Sequence, residues 1–450
     1  MRIPMSPPAE AKLLAEMSRM DFPTLMTHST PLVSGKYLHW DELRHRTPPD
    51  SLTLEQWWLA IWLSRNPALK SLPLVDKHGH AFRLATPEPA LIALHHIDRE
   101  AAGQIRTEFA TPIHENRDRY LLHSLIEESI TSSQLEGAST TRRVAEAMLK
   151  EGRKPRDHGE TMIFNNYRTM EQLRSLRGEP LTPELILELH RMLTLDTLEN
   201  HADAGRLRRT NDVNVVDNRY GTVLHAPPHF EELPERLARL SAFANADEHS
   251  TPFVHPVIRA ILLHFMIGYD HPFVDGNGRT ARALFYWSMA RSGYWLMEFL
   301  SISQFLKKAP AAYVQAYLHT ETDKNDTTYF VLHQLAIIQK AIASLHEYLA
   351  RKIDEQRDAE NLLIRSPGIR GRLNHRQLAL LTYALKHPGE LYRVATHQAT
   401  HNVAYQTARS DLLELERMGF LDKMKQGNAF VFFAPDDLHQ RIETFSGEIE

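Results

Sequence analysis

No cysteine occurs among the 450 residues, so neither a disulfide framework nor a thiolate zinc site can belong to this fold. The same absence fits a reducing cytoplasm. No apolar run reaches the roughly 20 residues that a membrane-spanning helix needs. The opening stretch MRIPMSPPAEAKLL lacks the unbroken apolar core of a secretory signal, so none is expected. Neither charge dominates: 52 Lys and Arg face 56 Asp and Glu, a formal net of −4, which leaves no global field to draw nucleic acid or an anionic membrane. Internal repeats and long low-complexity segments are missing too. What remains is ordinary globular composition, 42% hydrophobic and 24% charged, at a length that predicts two or three domains.

The pattern predicts a mainly α protein. Residues 1–115 read as a mixed but mainly helical segment. There Ser51, Leu52 and Thr53 lead into a helix capped by Thr53, with Gln56 three residues on, and Leu54, Trp57, Trp58, Ile61 and Trp62 share one face. The run LPLVDKHGHAFRL predicts a hairpin turning at Lys77 to Gly79. From 116 to 350 helix follows helix. Thr182 and Pro183 form a cap and first helical position ahead of Leu185, Ile186, Leu189, Met192 and Leu193. Val257 to Tyr269 is nearly all apolar and is expected to be buried. A hairpin interrupts the helices at 211–227, turning at Asn218 to Gly221. Residues 351–372, charged and carrying Pro367, Gly368 and Gly371, read as a linker, and 373–450 as a separate unit.

The chemistry concentrates in residues 271 to 282, HPFVDGNGRTAR, between the apolar helix and a second one expected from about Arg279 to Arg291. A helix start offers free N–H groups and partial positive charge, and so attracts anions. Gly276, Asn277 and Gly278 let the backbone turn into a nest of such donors. Arg279 and Arg282 add two guanidinium forks suited to a polyphosphate. Asp275 supplies a hard carboxylate for Mg²⁺, which typically takes one or two carboxylates and completes its shell with phosphate and water. His271, just outside the nest, is suited to take a proton from an attacking hydroxyl. Each piece alone is ordinary, since a lone Gly-Asn-Gly is usually a turn; their order and context together point to nucleotide chemistry.

This segment resembles the signature of the Fic family, His-x-Phe-x-(Asp or Glu)-Gly-Asn-Gly-Arg-x-x-Arg, at every fixed position: His271, Phe273, Asp275, Gly276, Asn277, Gly278, Arg279 and Arg282. The resemblance implies a Fic-type helical core with a β-hairpin flap. It implies protein adenylyl transfer from ATP, with His271 as the base and Asp275 on Mg²⁺ at the α- and β-phosphates. The Gly276–Gly278 nest, Asn277 and Arg279 would orient phosphates, and Arg282 would reach the γ-phosphate. It makes the 211–227 hairpin the flap that aligns a target segment by backbone pairing. Tyr317 lies where the family contacts adenine, and equally reads as a core tyrosine. Residues 36–49 and 300–330 resemble flanks found in the family, and the likeness covers about residues 36 to 345.

Upstream, a helix expected from about 120 to 137, with Leu121, Leu122, Leu125 and Ile126 inward, ends in Ser-Ser-Gln-Leu-Glu-Gly. Ser132 and Glu136, four apart, face one side, and Gly137 is a natural helix stop. Taken alone, a glutamate near a helix C-terminus reads as solvated. The segment nevertheless resembles the Fic inhibitory motif, (Ser or Thr)-x-x-x-Glu-(Gly or Asn), in the class with an N-terminal inhibitory helix. That resemblance implies that Glu136 pairs with Arg282 and displaces the γ-phosphate into an unproductive pose.

Residues 373 to 434 read as a winged helix. Leu378, Leu381 and Leu385 line its first helix, and a short helix follows near Val394. A third, Ala404 to Met418, turns Ala408, Leu412, Leu415 and Met418 inward. A wing at 421–425 and 429–433 is joined at Gly427 and Asn428. Tyr405, Gln406 and Arg409 are its outward candidates for DNA. The near balance of basic and acidic residues gives phosphate contact a thin basis, so DNA binding is not favoured over protein docking. The expected partner is a protein carrying a modifiable hydroxyl, with self-modification and a homodimer left open and no membrane involved. UMP or phosphocholine transfer, removal of AMP with Glu136 positioning water, and a DNA-binding regulator with a nucleotide-sensing core stand as alternatives.

Overall fold

Periodic apolar stripes do become helices here, and the chain divides into two units, Met1–Leu345 and His346–Glu450. A computed structural model describes residues 2–19, 21–49, 52–102, 117–217, 220–364, 371–386, 389–401, 403–426 and 429–447. Among them no helix is long and apolar enough to cross a membrane.

In the first unit the tryptophan-rich helix Leu54–Arg65 starts on a full capping box. Thr53 accepts from the Gln56 N–H, and the Gln56 side chain accepts from the Thr53 N–H. Trp57, Trp58 and Ile61 are buried with Leu13, Leu25 and Leu43 from the short helices before this one. An antiparallel hairpin follows, Lys70–Val75 with Ala81–Leu84. The Asp76 carboxylate shapes its turn by accepting from the N–H groups of His78 and His80, both at 2.8 Å.

The centre is the helix Pro256–Asp270. All of its residues from Val257 to Ile267 are buried, because neighbours cover it on every side. The helix Asn277–Arg291 packs against it most extensively, joined by Leu233–Asn245. Pro183–Thr194 and His158–Leu176 pack against Asn277–Arg291 in turn. Thr182 caps Pro183–Thr194 by accepting from the Leu185 N–H.

The helix Arg117–Leu135 lies upstream of these and packs on His158–Leu176. Leu121, Leu125, Ile126 and Ile130 are buried, but Leu122 is 37% exposed although it lies one turn before Leu125 and Ile126 on the same stripe. Glu128 is buried on the inward face. Its carboxylate accepts from the Ser301 hydroxyl at 2.8 Å, the Ser303 N–H at 3.1 Å and the Ser303 hydroxyl. Gly137, at φ 96°, stops the helix in a conformation that a side chain would resist.

The inserted hairpin pairs Val215–Asp217 with Thr222–His225. Asn218 and Arg219, expected in its turn, lie outside the described residues. The helix Thr328–Ile364 continues past residue 351, where composition suggests a linker; its Ala, Leu, Glu, Lys and Arg content favours helix. Pro367 and Gly368 lie outside the described residues, as do Gly427 and Asn428.

The second unit carries helices His375–Lys386, Val394–His401, Tyr405–Arg417 and Leu438–Gly447. Its three antiparallel strands run in the order Leu391–Tyr392, Ala429–Phe433, Asp422–Gln426. Leu381, Leu412, Leu415, Phe420, Phe432 and Ile442 form its core, with Leu378, Leu385 and Met418 partly buried around them. Buried Asp411 ties its helices together, accepting from Asn374, Arg376 and His397. Tyr405, Gln406 and Arg409 point outward.

Candidate active site

Pro272 cannot continue a right-handed helix and disfavours that conformation in the residue before it. The central helix accordingly ends with His271 in the left-handed region, at φ 44° and ψ 57°. The chain turns again at Gly276, φ 83°, to start the helix Asn277–Arg291. A Cβ at Gly276 would lie 3.2 Å from His190 Nε2, so glycine is required there on two counts.

The loop between these turns is braced from within. Asn277 accepts from the Phe273 N–H at 2.9 Å and donates to the Phe273 carbonyl at 2.8 Å. Phe273 is fully buried and stacks on His190, ring centroids 3.7 Å apart and nearly parallel. His190 accepts from the Gly205 N–H through Nδ1 and therefore donates through Nε2, to the Asp275 carbonyl at 2.9 Å. Burial lowers the His190 ring to about 4, which keeps it neutral for this double role. Arg279 is also fully buried. It donates to the Leu193 carbonyl at 2.9 Å and reaches Asp275 Oδ2 at 3.3 Å. The side chains of Asn277 and Arg279 thus face the loop itself, while the Asp275 side chain remains 55% exposed at the cradle's mouth.

His271 is half-buried. Its Nδ1 lies 3.2 Å from the Gly268 carbonyl, which can only accept, so Nδ1 carries the hydrogen and neutral Nε2 keeps its lone pair. Burial pushes the ring below its ordinary value; the Gly268 bond opposes this, and nearby His225 and Arg208 add to it.

Arg208 fixes the backbone around this histidine. Its side chain donates to the His271 carbonyl at 2.9 Å, the Thr210 carbonyl at 2.8 Å, Asn211 Oδ1 at 3.2 Å and the Pro228 carbonyl. Its own N–H donates to the Pro272 carbonyl at 2.9 Å. On the other flank Arg236 donates to Asp270 at 2.8 Å, to the Val75 carbonyl at 2.6 Å and to the Asp76 carbonyl at 3.2 Å, anchoring the first hairpin. Burial raises the Asp270 carboxyl to about 6, with Arg236 opposing.

Arg282 is buried one turn into its helix and is held from upstream. It donates to the Ser132 hydroxyl at 2.7 Å, the Ser132 carbonyl at 3.1 Å and Glu136 Oε1 at 2.8 Å. Burial opposes the guanidinium charge, but the Glu136 carboxylate more than compensates and holds it above its ordinary value. The Glu136 carboxylate rests against Gly278, so an anionic group already lies on the first turn of this helix.

Tyr317 packs among Phe265 and Phe330, and its ring lies against Gly268, one turn before His271. Its hydroxyl is 3.4 Å from that of Tyr313, which bonds His264 Nε2 at 2.7 Å. The structure therefore brings His271, Asp275, Gly276, Gly278, Arg282, Ser132 and Glu136 around one helix start, with Tyr317 behind it. Sequence reasoning missed Arg208, His190 and Arg236. All three act across long separations, and no local spacing marks them.

Residues 180–289 match a family model described as the Fic/DOC family. The chain is 29% identical over 213 residues to the protein adenylyltransferase Fic of Drosophila melanogaster, covering 47% of this chain and 38% of that protein. It is thus similar to well under half the length of that curated relative. Among solved structures, a Fic family protein from Desulfovibrio desulfuricans G20 is 16% identical with a TM-score of 0.48, covering 78% of this chain and 96% of that one. A Fic domain containing signaling protein from Bacteroides thetaiotaomicron VPI-5482 is 22% identical with a TM-score of 0.43, covering 51% and 88%. Ser132 and Glu136 lie upstream of the matched residues, while His190, Arg208, the inserted hairpin and the whole 271–282 motif fall inside them; over residues 180–289 this chain is similar to the Fic/DOC family.

Proposed function

We propose that this chain is a protein adenylyltransferase, moving AMP from ATP to a Ser, Thr or Tyr hydroxyl of a target protein under restraint by Glu136. In this reaction the target hydroxyl loses its proton to His271 Nε2 and its oxygen attacks the α-phosphorus of ATP. The bond from that phosphorus to the bridging oxygen breaks, and pyrophosphate leaves. A fixed tautomer with Nε2 free is what a base in this position requires. The N–H groups at the start of Asn277–Arg291 offset charge building on the phosphate oxygens.

A Mg²⁺ ion fits the donor set, because Asp275 keeps an exposed carboxylate at the cradle with Arg279 at 3.3 Å as its cationic neighbour. Asp275 would hold the ion, whose charge would offset that of the phosphates. Arg282 would take the γ-phosphate once Glu136 leaves it, and Tyr317 would border the adenine.

The observation that carries the reading is the seat of the Glu136 carboxylate, on Gly278 and Arg282, where an anion of the substrate would otherwise bind. We read residues 116–350 as the catalytic domain and 373–450 as a winged helix serving as a protein-docking module. Lys423, beside the outward face of Tyr405–Arg417, is paired with Glu416 at 3.0 Å, which weakens the case for phosphate contact there.

The test is one autoradiograph of Glu136→Gly, with and without His271→Ala, in lysate with α-labelled or γ-labelled ATP. Label from the α position alone, lost with His271→Ala, is the expected outcome. Label from the γ position would instead mean phosphoryl transfer and end the reading.

A further inference from the structure

A helix leaves its last carbonyls without partners inside the helix, and a terminus buried in the protein must find donors elsewhere. At the end of Pro256–Asp270 two histidines supply them. His271 serves the Gly268 carbonyl, and His225 Nε2 serves the Tyr269 carbonyl at 2.7 Å. His225 is the last residue of the hairpin strand Thr222–His225 and is buried, its ring 4.6 Å from that of Tyr269.

Its other nitrogen, Nδ1, lies 2.8 Å from Glu321 Oε2 on the helix Pro310–Thr322. A carbonyl and a carboxylate both accept, so the two contacts together call for hydrogen on both ring nitrogens. Such a ring supplies donors at a helix C-terminus, where the last carbonyls lack partners within the helix. The charged and titratable groups around it are Glu321 on one side and Tyr269, Asp270 and His271 on the central helix. Arg236, bonded to Asp270, adds to them from Leu233–Asn245. A second tie lies one residue on, where Lys77 donates to the Ala226 carbonyl at 3.0 Å.

We propose that His225 is a positioning residue that pins the hairpin to the helix end carrying His271, so that the strand edge and the imidazole are held as one body. The functional meaning rests on the adenylyl-transfer reading, in which that edge receives the target. The mechanical claim does not.

Hydrogen exchange separates the two. In the Glu136→Gly background, His225→Ala should speed exchange across 215–225 by about tenfold or more, the worth of one buried charge-assisted bond. Affinity for Mg·ATP, measured by calorimetry, should stay within about twofold, while self-labelling from α-labelled ATP falls about tenfold, because target placement and not nucleotide binding is lost. His225→Gln, whose amide N–H can still reach the Tyr269 carbonyl, should recover most of the protection. Glu321→Gln, which leaves the Tyr269 bond in place, should give a smaller rise in exchange and serves if His225→Ala does not fold. Unchanged exchange in both His225→Ala and Glu321→Gln overturns the proposal, as does a parallel loss of Mg·ATP affinity. Faster exchange with no label in any protein upholds the pin and rejects adenylyl transfer.

Discussion

Gly278 and Glu136 touch so closely that a Cβ built on the glycine would lie 2.9 Å from Glu136 Cδ and nearer still to its Oε1, with Arg282 Nη1 at 3.0 Å. The carboxylate can therefore rest on the helix start only because residue 278 has no side chain. Gly278→Ala should expel Glu136 and also crowd the phosphate seat, so it should not activate. We expect AMP transfer at least about tenfold below the Glu136→Gly level even when both changes are combined, a steric loss of ~1.4 kcal/mol or more. A double variant as active as Glu136→Gly would show that the seat is not where phosphate binds.

Glu136→Gly removes one charge-assisted bond to Arg282 while leaving both Ser132 contacts in place. Such a bond has a net worth of ~1.5–3 kcal/mol, so transfer should rise about 10- to 100-fold. Incorporation of α-labelled ATP by the purified proteins measures this, and equal incorporation would remove the brake from the account.

His271 is held below its ordinary value by burial, so it stays neutral to lower pH than an exposed histidine would. A base must be neutral to accept a proton. The rate in the Glu136→Gly background should accordingly hold as pH falls through about 6.5, the unperturbed histidine value, and drop only below it. A midpoint at or above that value, in a pH profile of kcat, would contradict the burial argument.

Arg208 is buried and gives its donors to backbone carbonyls and one asparagine rather than to a carboxylate. Arg208→Ala would leave several buried carbonyls without donors, at ~1–3 kcal/mol each where no water replaces them. A fall in Tm of several degrees is expected by calorimetry. Arg208→Lys should recover little, since an ammonium cannot reproduce the fork. Full recovery with lysine would mean that charge, not geometry, is what matters at this position.

Local chemistry was legible in the sequence wherever neighbours in the chain decide the outcome. The Thr53–Gln56 box, the Thr182 cap and the left-handed turn at Gly276 follow from side chains within a few positions of one another. The burial of Val257 to Ile267 follows from an apolar run too wide for a surface helix. The 271–282 motif is contiguous for the same reason: a helix start and the loop that leads into it are one stretch of backbone. The stacking of His190 on Phe273 was not legible, nor was the hold of Arg208 on the His271 carbonyl, because each joins residues more than 60 positions apart. Leu122 was misread because a run of apolar residues does not say where the inward stripe ends. The helical stretch beyond residue 351 was misread because Pro367 and Gly368 outweighed the helix-forming residues before them.

Ser132 grips Arg282 through both its hydroxyl and its carbonyl, independently of Glu136. When the glutamate turns away, the guanidinium keeps its aim, and the helix Arg117–Leu135 need not leave its bed. On the proposed reading, activation would be a rotamer change at one side chain rather than the departure of a domain, and such changes are fast on the scale of turnover. Labelled product should build up linearly from the first seconds, with no lag to mark a slow rearrangement.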